Sequence, residues 1–309
     1  MKMSLIVVTK NWESTLEQTI QSVGLLADQV IIINIRPTEK TAEVTERFGT
    51  LKKIFTWNKN YSEVRNLGLG FAKHPWVLSL EANEWIDEKL HVEIEKTKNS
   101  GTEGAYGAFL LPNSPFISSS LDMKQKKLIL FKNRKWLSFK GRVHDDPIES
   151  LVEHQIAWAQ MEGFLHRDFQ YPPGSINFEY DYQLACQWAD DAPTCAKAQY
   201  IAGCYALEKG YQLEAIDQFR KAAESQARRY FSVLALKKLS DIAFSWNWGD
   251  VVGREFLEKA IKIFDSEKKH PEFSYSIELK NHLCQLADET GSFLSVSRKF
   301  LADAESFFP

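Results

Sequence analysis

The stretch QVIIINI, residues 29–35, places β-branched residues at four consecutive positions, Val30 to Ile33. A strand with one face in solvent alternates apolar and polar residues, whereas a strand covered on both faces is apolar almost throughout. Helices cover both faces of a parallel sheet, so this stretch predicts a buried parallel strand. The fold class that it favours is α/β.

The sequence on either side alternates predicted strands and helices up to about residue 97. Upstream, SLIVVTK (4–10) is another buried-strand run, and the stretch 12–27 sets Leu16, Ile20, Val23 and Ala27 on one helical face. Downstream, the pattern predicts a helix at 41–49, a strand at 51–57, a helix at 61–73 and a strand at 75–81. This order predicts a parallel sheet with right-handed crossovers.

Polar residues follow the predicted parallel strands. In open α/β sheets, ligands bind beyond the carboxyl ends of the strands. Thr9, Asn34, Glu81 and Asn83 fall at those ends. We therefore expect a ligand-binding site at this edge of the sheet.

Residues 98 to 174 consist of short apolar stretches separated by Pro, Gly, Asn and Ser turns. Strands are predicted at 104–113, 124–133, 136–145 and 156–169. They are expected to extend the first sheet in antiparallel or mixed orientation. The stretch PNSPFISSSLDMK (112–124) is predicted to be a mobile loop.

After YPPGS (171–175) the chain has almost only helical periodicity. In residues 202–224, small Gly203 and Ala206 precede a turn at Gly210, and Phe219 follows at the spacing of a tetratricopeptide repeat. A weaker copy covers 234–264, and 273–308 can supply one more helix pair. The sequence thus predicts two domains, an α/β domain at 1–174 and an all-α tetratricopeptide-like domain at 175–309.

Composition excludes several classes of protein. The net charge of -3 and pI near 6.2 give no basic field for a nucleic acid, and no apolar stretch approaches the length of a transmembrane helix. The cysteines, Cys186, Cys195, Cys204 and Cys284, have neither CxxC nor zinc spacing, which favours buried reduced thiols. We expect a cytoplasmic protein.

Four stretches, in order, carry a resemblance to a known family. They are IVVTKNWESTLEQTIQSV (6–23), ADQVIIINIRPTEKTAEVTERFG (27–49), FTWNKNYSEVRNLGLGFAKHPWVLSLEANE (55–84) and FKGRVHD (139–145). Together they resemble the inverting family 2 glycosyltransferases of the GT-A fold, a Rossmann-like mixed sheet. The resemblance is greatest to the bacterial subgroup with tetratricopeptide helices after the catalytic domain, which includes peptide glycosyltransferases.

The resemblance implies transfer of a sugar from a nucleotide-sugar donor, with inversion, to a protein, peptide or glycan acceptor. The helical repeats would bind a protein partner. Family members hold the donor ribose and a divalent metal ion, Mg²⁺ or Mn²⁺, with a DxD motif, and Glu81 and Asn83 occupy its positions here, with Glu84 following. Asparagine gives up a charge, so we expect weakened metal binding.

The same alignment assigns the other site residues. Asn34 replaces the aspartate that recognises the nucleotide, and Arg36 follows near where a diphosphate would lie. Arg65 and Asn66 match an arginine-asparagine pair. The candidate residues are donor-binding Thr9, Asn34, Arg36, Arg65, Asn66 and Glu81; metal-binding Asn83, Glu84 and His144; and catalytic Asp145 and Asp146. Asp145 is the first candidate for the base that deprotonates the acceptor, with Asp146 and Glu84 as rivals.

Structural explanations compete with several of these assignments. Arg65 is also consistent with a surface ion pair, Asn83 with capping of the next helix, and His144 with a hydrogen-bonded turn. The alternative function is a catalytically degenerate GT-A-like shell that acts as a nucleotide-binding or protein-interaction scaffold. The enzymatic hypothesis requires residues 34, 65, 81, 83 and 144 to surround one pyrophosphate-sized hollow.

Overall fold

The computed structural model describes residues 1–10, 13–48, 51–100, 104–112, 126–168, 176–226, 229–245, 250–267 and 283. The chain divides into two compact units, Met1–Ser175 and Ile176–Pro309. The first is built around a β-sheet, and the described part of the second is helical.

The described strands of the first unit form one sheet in the order β3-β2-β1-β4-β7-β6-β8-β5. Their bounds are β1 Met3–Lys10, β2 Gln29–Arg36, β3 Leu51–Ile54, β4 Trp76–Glu81, β5 Glu84–Ile86, β6 Ala105–Pro112, β7 Lys126–Lys132 and β8 Trp158–Arg167. Strands β3, β2, β1 and β4 are parallel, whereas β7 is antiparallel to both β4 and β6. The predicted mixed α/β sheet is confirmed.

Helices cover both faces of the parallel half. They are α1 Glu13–Val23, α2 Glu39–Phe48, α3 Tyr61–Phe71, α4 Glu88–Asn99 and α5 Ile148–Glu153. One buried cluster joins Leu5 and Val7 to Leu16 of α1 and Leu90 of α4. The other cluster lies across the sheet and includes Ile6, Val8, Ile33, Val64 of α3 and Leu151 of α5. Neighbouring residues of β1 therefore face different helices, because side chains alternate along a strand.

The sequence-based assignment was wrong between residues 133 and 157. The predicted strand 136–145 is an irregular loop whose described pairing is one bridge, Lys140 with Asp146. Its apolar residues are buried all the same: Leu137, Phe139 and Val143 are at most 6% exposed. A buried loop and a strand both require apolar residues, so composition alone did not separate them. The short strand β5 and helix α5 were also missed.

The second unit is a run of helices, α6 Ile176–Asp191, α7 Ala196–Glu208, α8 Gln212–Glu224, α9 Arg229–Ser245 and α10 Asp250–Ser266, each packed on the next. Gly203 lets α7 approach α8, because a β-carbon there would lie 2.7 Å from the Phe219 ring. Gly210 forms the turn with φ of 78°. The second pair uses the reverse arrangement, in which Phe244 of α9 packs on Gly253 of α10. The tetratricopeptide assignment itself stays a prediction.

Several sequence-based predictions lie outside the described residues. They concern the 112–124 loop beyond Pro112, most of the proposed last helix pair and Cys284. The thiols of Cys186, Cys195 and Cys204 are free but only partly buried, which corrects the expectation of buried thiols. Within the described ranges, no helix combines the length and apolar character needed to span a membrane. The cytoplasmic location stays a prediction.

Candidate functional site

The carboxyl ends of β2, β1 and β4 form a continuous row at one edge of the sheet. In this row Thr9 lies beside Asn34, and Val8 lies beside Glu81. Partners in register point to the same face, and consecutive residues point to opposite faces. Thr9 and Asn34 therefore lie on the face covered by α1 and α2, and Glu81 lies on the face covered by α3.

Arg65 of α3 is the centre of the Glu81 face. Its Nε donates to Asp145 Oδ2 at 2.7 Å, its Nη1 donates to Ser79 Oγ at 2.9 Å, and its Nη2 donates to Glu81. The guanidinium also lies over the Phe139 ring, 5.0 Å from the centroid. The side chain is only 2% exposed, so the competing hypothesis of a surface ion pair is wrong.

The carboxylates around Arg65 stabilise its charged form. Burial alone lowers the pKa of a guanidinium, but Asp145 and Glu81 outweigh burial and raise the pKa of Arg65 above its ordinary value. Arg65 is thus a permanent buried cation that holds two carboxylates. One of them comes from the end of β4 and the other from the loop before α5.

Glu84 is the most enclosed carboxylate of this region, with no exposed surface. Lys127 Nζ donates to its two oxygens at 2.8 and 2.6 Å, and Arg167 Nε donates to Oε1 at 2.9 Å. The backbone N–H of Glu81 donates to Oε2 at 2.8 Å. Burial raises the pKa of Glu84, but Lys127 and Arg167 outweigh it and lower that pKa to about 2.

Lys127 connects the contacts of Glu84 with those of Arg65, because its Nζ also lies 3.8 Å from Glu81 Oε1. Burial lowers the pKa of Lys127, while Glu84 and Glu81 oppose that shift. Arg167 is the second cationic partner of Glu84. We name this network the ionic cluster; its members are Arg65, Glu81, Glu84, Lys127, Asp145 and Arg167.

Asn66 contacts the loop that carries Asp145 rather than the ionic cluster. Its amide nitrogen donates to Phe139 O at 3.1 Å, and its amide oxygen accepts from Phe139 N at 2.7 Å. His144 is exposed and has φ of 49°. Asp146 Oδ1 accepts from Ile148 N at 2.9 Å, which ties it to the start of α5. Asp145 is the only acidic residue of this loop that contacts Arg65 in the described structure.

On the other face, the polar residues have helical partners or none. Asn34 Nδ2 donates to Thr41 Oγ1 of α2 at 3.0 Å. Thr9 is completely buried, and its hydroxyl has no hydrogen-bond partner among the described residues. The backbone of Arg36 pairs with Lys10, and its side chain lies outside the described part of the structure.

The residues at the DxD positions do not fit a metal ion. Asn83 Nδ2 donates to Asp168 O at 2.8 Å, and Asp87, not Asn83, caps α4 by accepting from Leu90 N. Both oxygens of Glu84 already accept from cations, and Glu81 accepts from Arg65. The described residues contain no group of three or more His, Cys, Asp or Glu that could hold a metal.

Sequence reasoning missed two cations of the ionic cluster. The pairing of β7 with β4 ends at Leu78 and Leu130, and the register of β7 against β6 shifts between Leu130 and Leu128, so no strand pairing marks Lys127 as a neighbour of Glu81. Arg167 is directly paired with Glu84 across β8 and β5. Only a known register reveals the pair of Glu84 and Arg167, since a shift of one residue would turn either side chain to the opposite face.

Residues 4–150 match the family model described as glycosyl transferase family 2. An uncharacterized glycosyltransferase of Rickettsia bellii is 26% identical over 155 residues, or 49% of this chain and 52% of that protein. One of Rickettsia conorii is 26% identical over 157 residues, or 49% and 55%. The chain spans about half the length of these curated relatives.

Two solved structures are similar at low identity. The Staphylococcus aureus TarS fragment 1-349 is 12% identical, with a TM-score of 0.43 and coverage of 94% of this chain and 92% of that one. Glucosyl-3-phosphoglycerate synthase from Mycobacterium tuberculosis, with Mn²⁺ and uridine diphosphate, is 12% identical, with a TM-score of 0.44 and coverage of 61% and 79%.

Proposed function

Taking residues 4–150 as a glycosyl transferase family 2 domain, we propose that this protein transfers a sugar from a nucleotide-sugar donor to an acceptor, with inversion at the anomeric carbon. The acceptor class that we propose is a protein, a peptide or a glycan. The main support from the structure is that Arg65 joins Glu81 and Asp145 on one face at the carboxyl edge of the sheet.

The proposed chemistry is a direct displacement. The acceptor oxygen forms a bond to the anomeric carbon while the bond to the donor diphosphate breaks, and a carboxylate takes the acceptor proton. We assign Glu81 to accept a hydrogen bond from the donor ribose, which its 25% exposed side chain supports. The leaving diphosphate carries developing charge that nearby cations must stabilise.

Asp145 is the base that the contacts favour. Arg65 holds its two oxygens, with Nε 2.7 Å from Oδ2 and Nη2 3.4 Å from Oδ1, so the carboxylate has a fixed orientation. Glu84 is enclosed by its own cations, and Asp146 accepts from the backbone of α5. Asn66 acts as a positioning residue in this proposal, because it fixes the loop at Phe139.

We propose the helical unit as the site for a protein partner or the acceptor. Tyr211 and Leu213, at the start of α8, are 49% and 78% exposed, which provides an apolar contact. The packing of consecutive helices supports an extended binding surface of the repeat type.

The test is donor turnover by the full chain with UDP- and GDP-sugars, measured as release of the free nucleoside diphosphate. We expect turnover in the parent and a loss of about 100-fold or more in Asp145→Asn, as for removal of a general base. Nucleotide affinity, measured by calorimetry, should change little, because the amide can still accept from Arg65. Lys89→Met is the control, since Lys89 forms an exposed pair with Glu162.

The second candidate is a nucleotide-binding or protein-interaction scaffold, favoured by the ion pairing of every carboxylate in the ionic cluster. It predicts nucleotide binding without turnover, even when peptide and glycan acceptors are supplied. Equal turnover by the parent and Asp145→Asn would remove Asp145 from the mechanism. Absence of nucleotide binding would remove the transferase proposal altogether.

A further inference from the structure

The charge balance of the ionic cluster differs from that of an acidic metal site. Three carboxylates face three cations, so the formal sum is zero. A pair of unpaired carboxylates attracts a divalent ion because it carries uncompensated negative charge. Here a divalent ion would instead add positive charge to a neutral cluster and displace buried cations from their partners.

The position of Lys127 resembles that of an ion held between two carboxylates. Its ammonium lies 2.6 Å from Glu84 Oε2 and 3.8 Å from Glu81 Oε1, at the carboxyl end of β4. Its side chain is 18% exposed, compared with 2% for Arg65. A ligand that approaches Glu81 from solvent can therefore reach Lys127, whereas Arg65 is enclosed.

We propose that this protein binds a nucleoside diphosphate without a divalent metal ion, and that Lys127 supplies the positive charge facing the diphosphate. The inference rests on the proposed function, because it concerns the same donor site. An ammonium is a suitable substitute, since lysine binds phosphate as a point charge with three donors. Glu84 and Glu81 keep that ammonium in place.

Calorimetric titration of the full chain with UDP and with GDP, in excess EDTA and then in Mn²⁺, tests the inference. We expect the two conditions to give dissociation constants within about threefold of each other. Manganese alone, followed by its electron paramagnetic resonance signal, should show no saturable binding up to about 1 mM. Tightening of about tenfold or more by Mn²⁺ overturns the inference and leaves the proposed function intact.

Substitution of Lys127 provides a sharper test. If Lys127 supplies the positive charge, its loss weakens binding in EDTA, whereas a site that depends on a metal ion would not need it. In EDTA, Lys127→Met should weaken UDP binding about tenfold or more, and Lys127→Arg should retain most of it. Lys127→Met also leaves the cluster with one excess negative charge beside Glu81. We therefore expect Mn²⁺ to improve UDP binding by Lys127→Met but not by the parent.

Two controls make each result decisive. Lys89→Met removes an exposed lysine and should bind UDP as the parent does, and a melting curve for each variant shows whether the fold is kept. If Lys127→Met unfolds, the titrations of the parent in EDTA and in Mn²⁺ still decide the metal question. Parent-like binding by a folded Lys127→Met overturns the role of Lys127. If the parent binds neither UDP nor GDP, in EDTA or in Mn²⁺, the proposed function itself is contradicted.

Discussion

The two faces of the sheet at its carboxyl edge use opposite means to hold their polar groups. On the α3 face, Glu81 belongs to an ionic cluster in which every charge has a partner of opposite sign. On the α1 and α2 face, Thr9 and Asn34 are uncharged, and the Thr9 hydroxyl is buried with no partner among the described residues. Asn34 pairs with Thr9 and Glu81 pairs with Val8, so the two polar groups lie one residue apart along β1. Because side chains alternate along a strand, they point to opposite faces.

This difference shows that a residue's position at a strand end predicts which edge of the sheet it occupies. It does not predict the face of the sheet on which its side chain lies. The prediction that residues 34, 65, 81, 83 and 144 surround one hollow rested on the shared edge. The structure joins Arg65 to Glu81, whereas Asn34 contacts Thr41 and Asn83 contacts Asp168 O. The transferase proposal therefore relies on Arg65 and its partners and not on one hollow shared by all five residues. Variants that disturb one face and leave the other intact can measure how independent the two faces are.

The largest effect is expected for Arg65→Met on the ionic face. The change leaves Asp145, whose side chain is 5% exposed, without its cationic partner. Loss of one member of a buried ion pair costs about 3 to 5 kcal/mol, so the free energy of unfolding in urea should fall by that amount. Arg47→Met is the matched control, because Arg47 pairs with Glu17 at the surface and its loss should cost less than about 1 kcal/mol. Equal effects of the two variants would show that the ionic cluster is not coupled to folding.

A somewhat smaller effect is expected when the pH titrates Glu84. Its pKa in the folded protein is about 2, below its ordinary value of 4.5, so its ionised form stabilises the fold. This contribution is complete above pH 4.5 and is lost as the pH falls from 4.5 towards 2. The shift corresponds to about 3 kcal/mol.

Comparison of the parent with Glu84→Gln isolates this contribution from those of the other carboxylates. At pH 7 the variant should be less stable in urea, and the difference should narrow steadily as the pH falls below 4.5. A difference that stays constant from pH 7 to pH 3 would mean that Glu84 is not the group that titrates. Lys127 and Arg167 lose the Glu84 carboxylate as a partner in the variant at every pH, so part of the difference will persist.

The sequence was sufficient for the parts of the fold that depend on local periodicity. The apolar run 29–35 correctly predicted a parallel strand, and the spacing of Gly203 and Phe219 correctly placed two residues that pack together. These patterns record which face of an element is buried, and burial depends on neighbouring residues in the chain.

The candidate site was less accessible to sequence reasoning because its contacts join distant segments. Arg65 and Asp145 are 80 residues apart, and Glu84 and Arg167 are 83 apart. Lys127 had no recognisable motif, and its contacts with Glu84, 43 residues away in the chain, and with Glu81 join distant segments. The resemblance found the acidic members of the ionic cluster, whereas two of its cations required the structure.

The smallest effect is expected on the uncharged face, from Thr9→Val. Valine has nearly the shape of threonine and removes a buried hydroxyl with no partner among the described residues, so stability in urea should stay equal or rise by up to about 1 kcal/mol. Thr19→Val is the matched control, because that equally buried hydroxyl donates to Ala82 O at 2.9 Å and its loss should destabilise by about 1 kcal/mol. If Thr9 serves the donor site, Thr9→Val should also weaken UDP binding, so that stability and affinity move in opposite directions. Unchanged UDP binding would limit the donor site to the ionic face, and a loss of stability equal to that of Thr19→Val would show that the Thr9 hydroxyl is satisfied in solution.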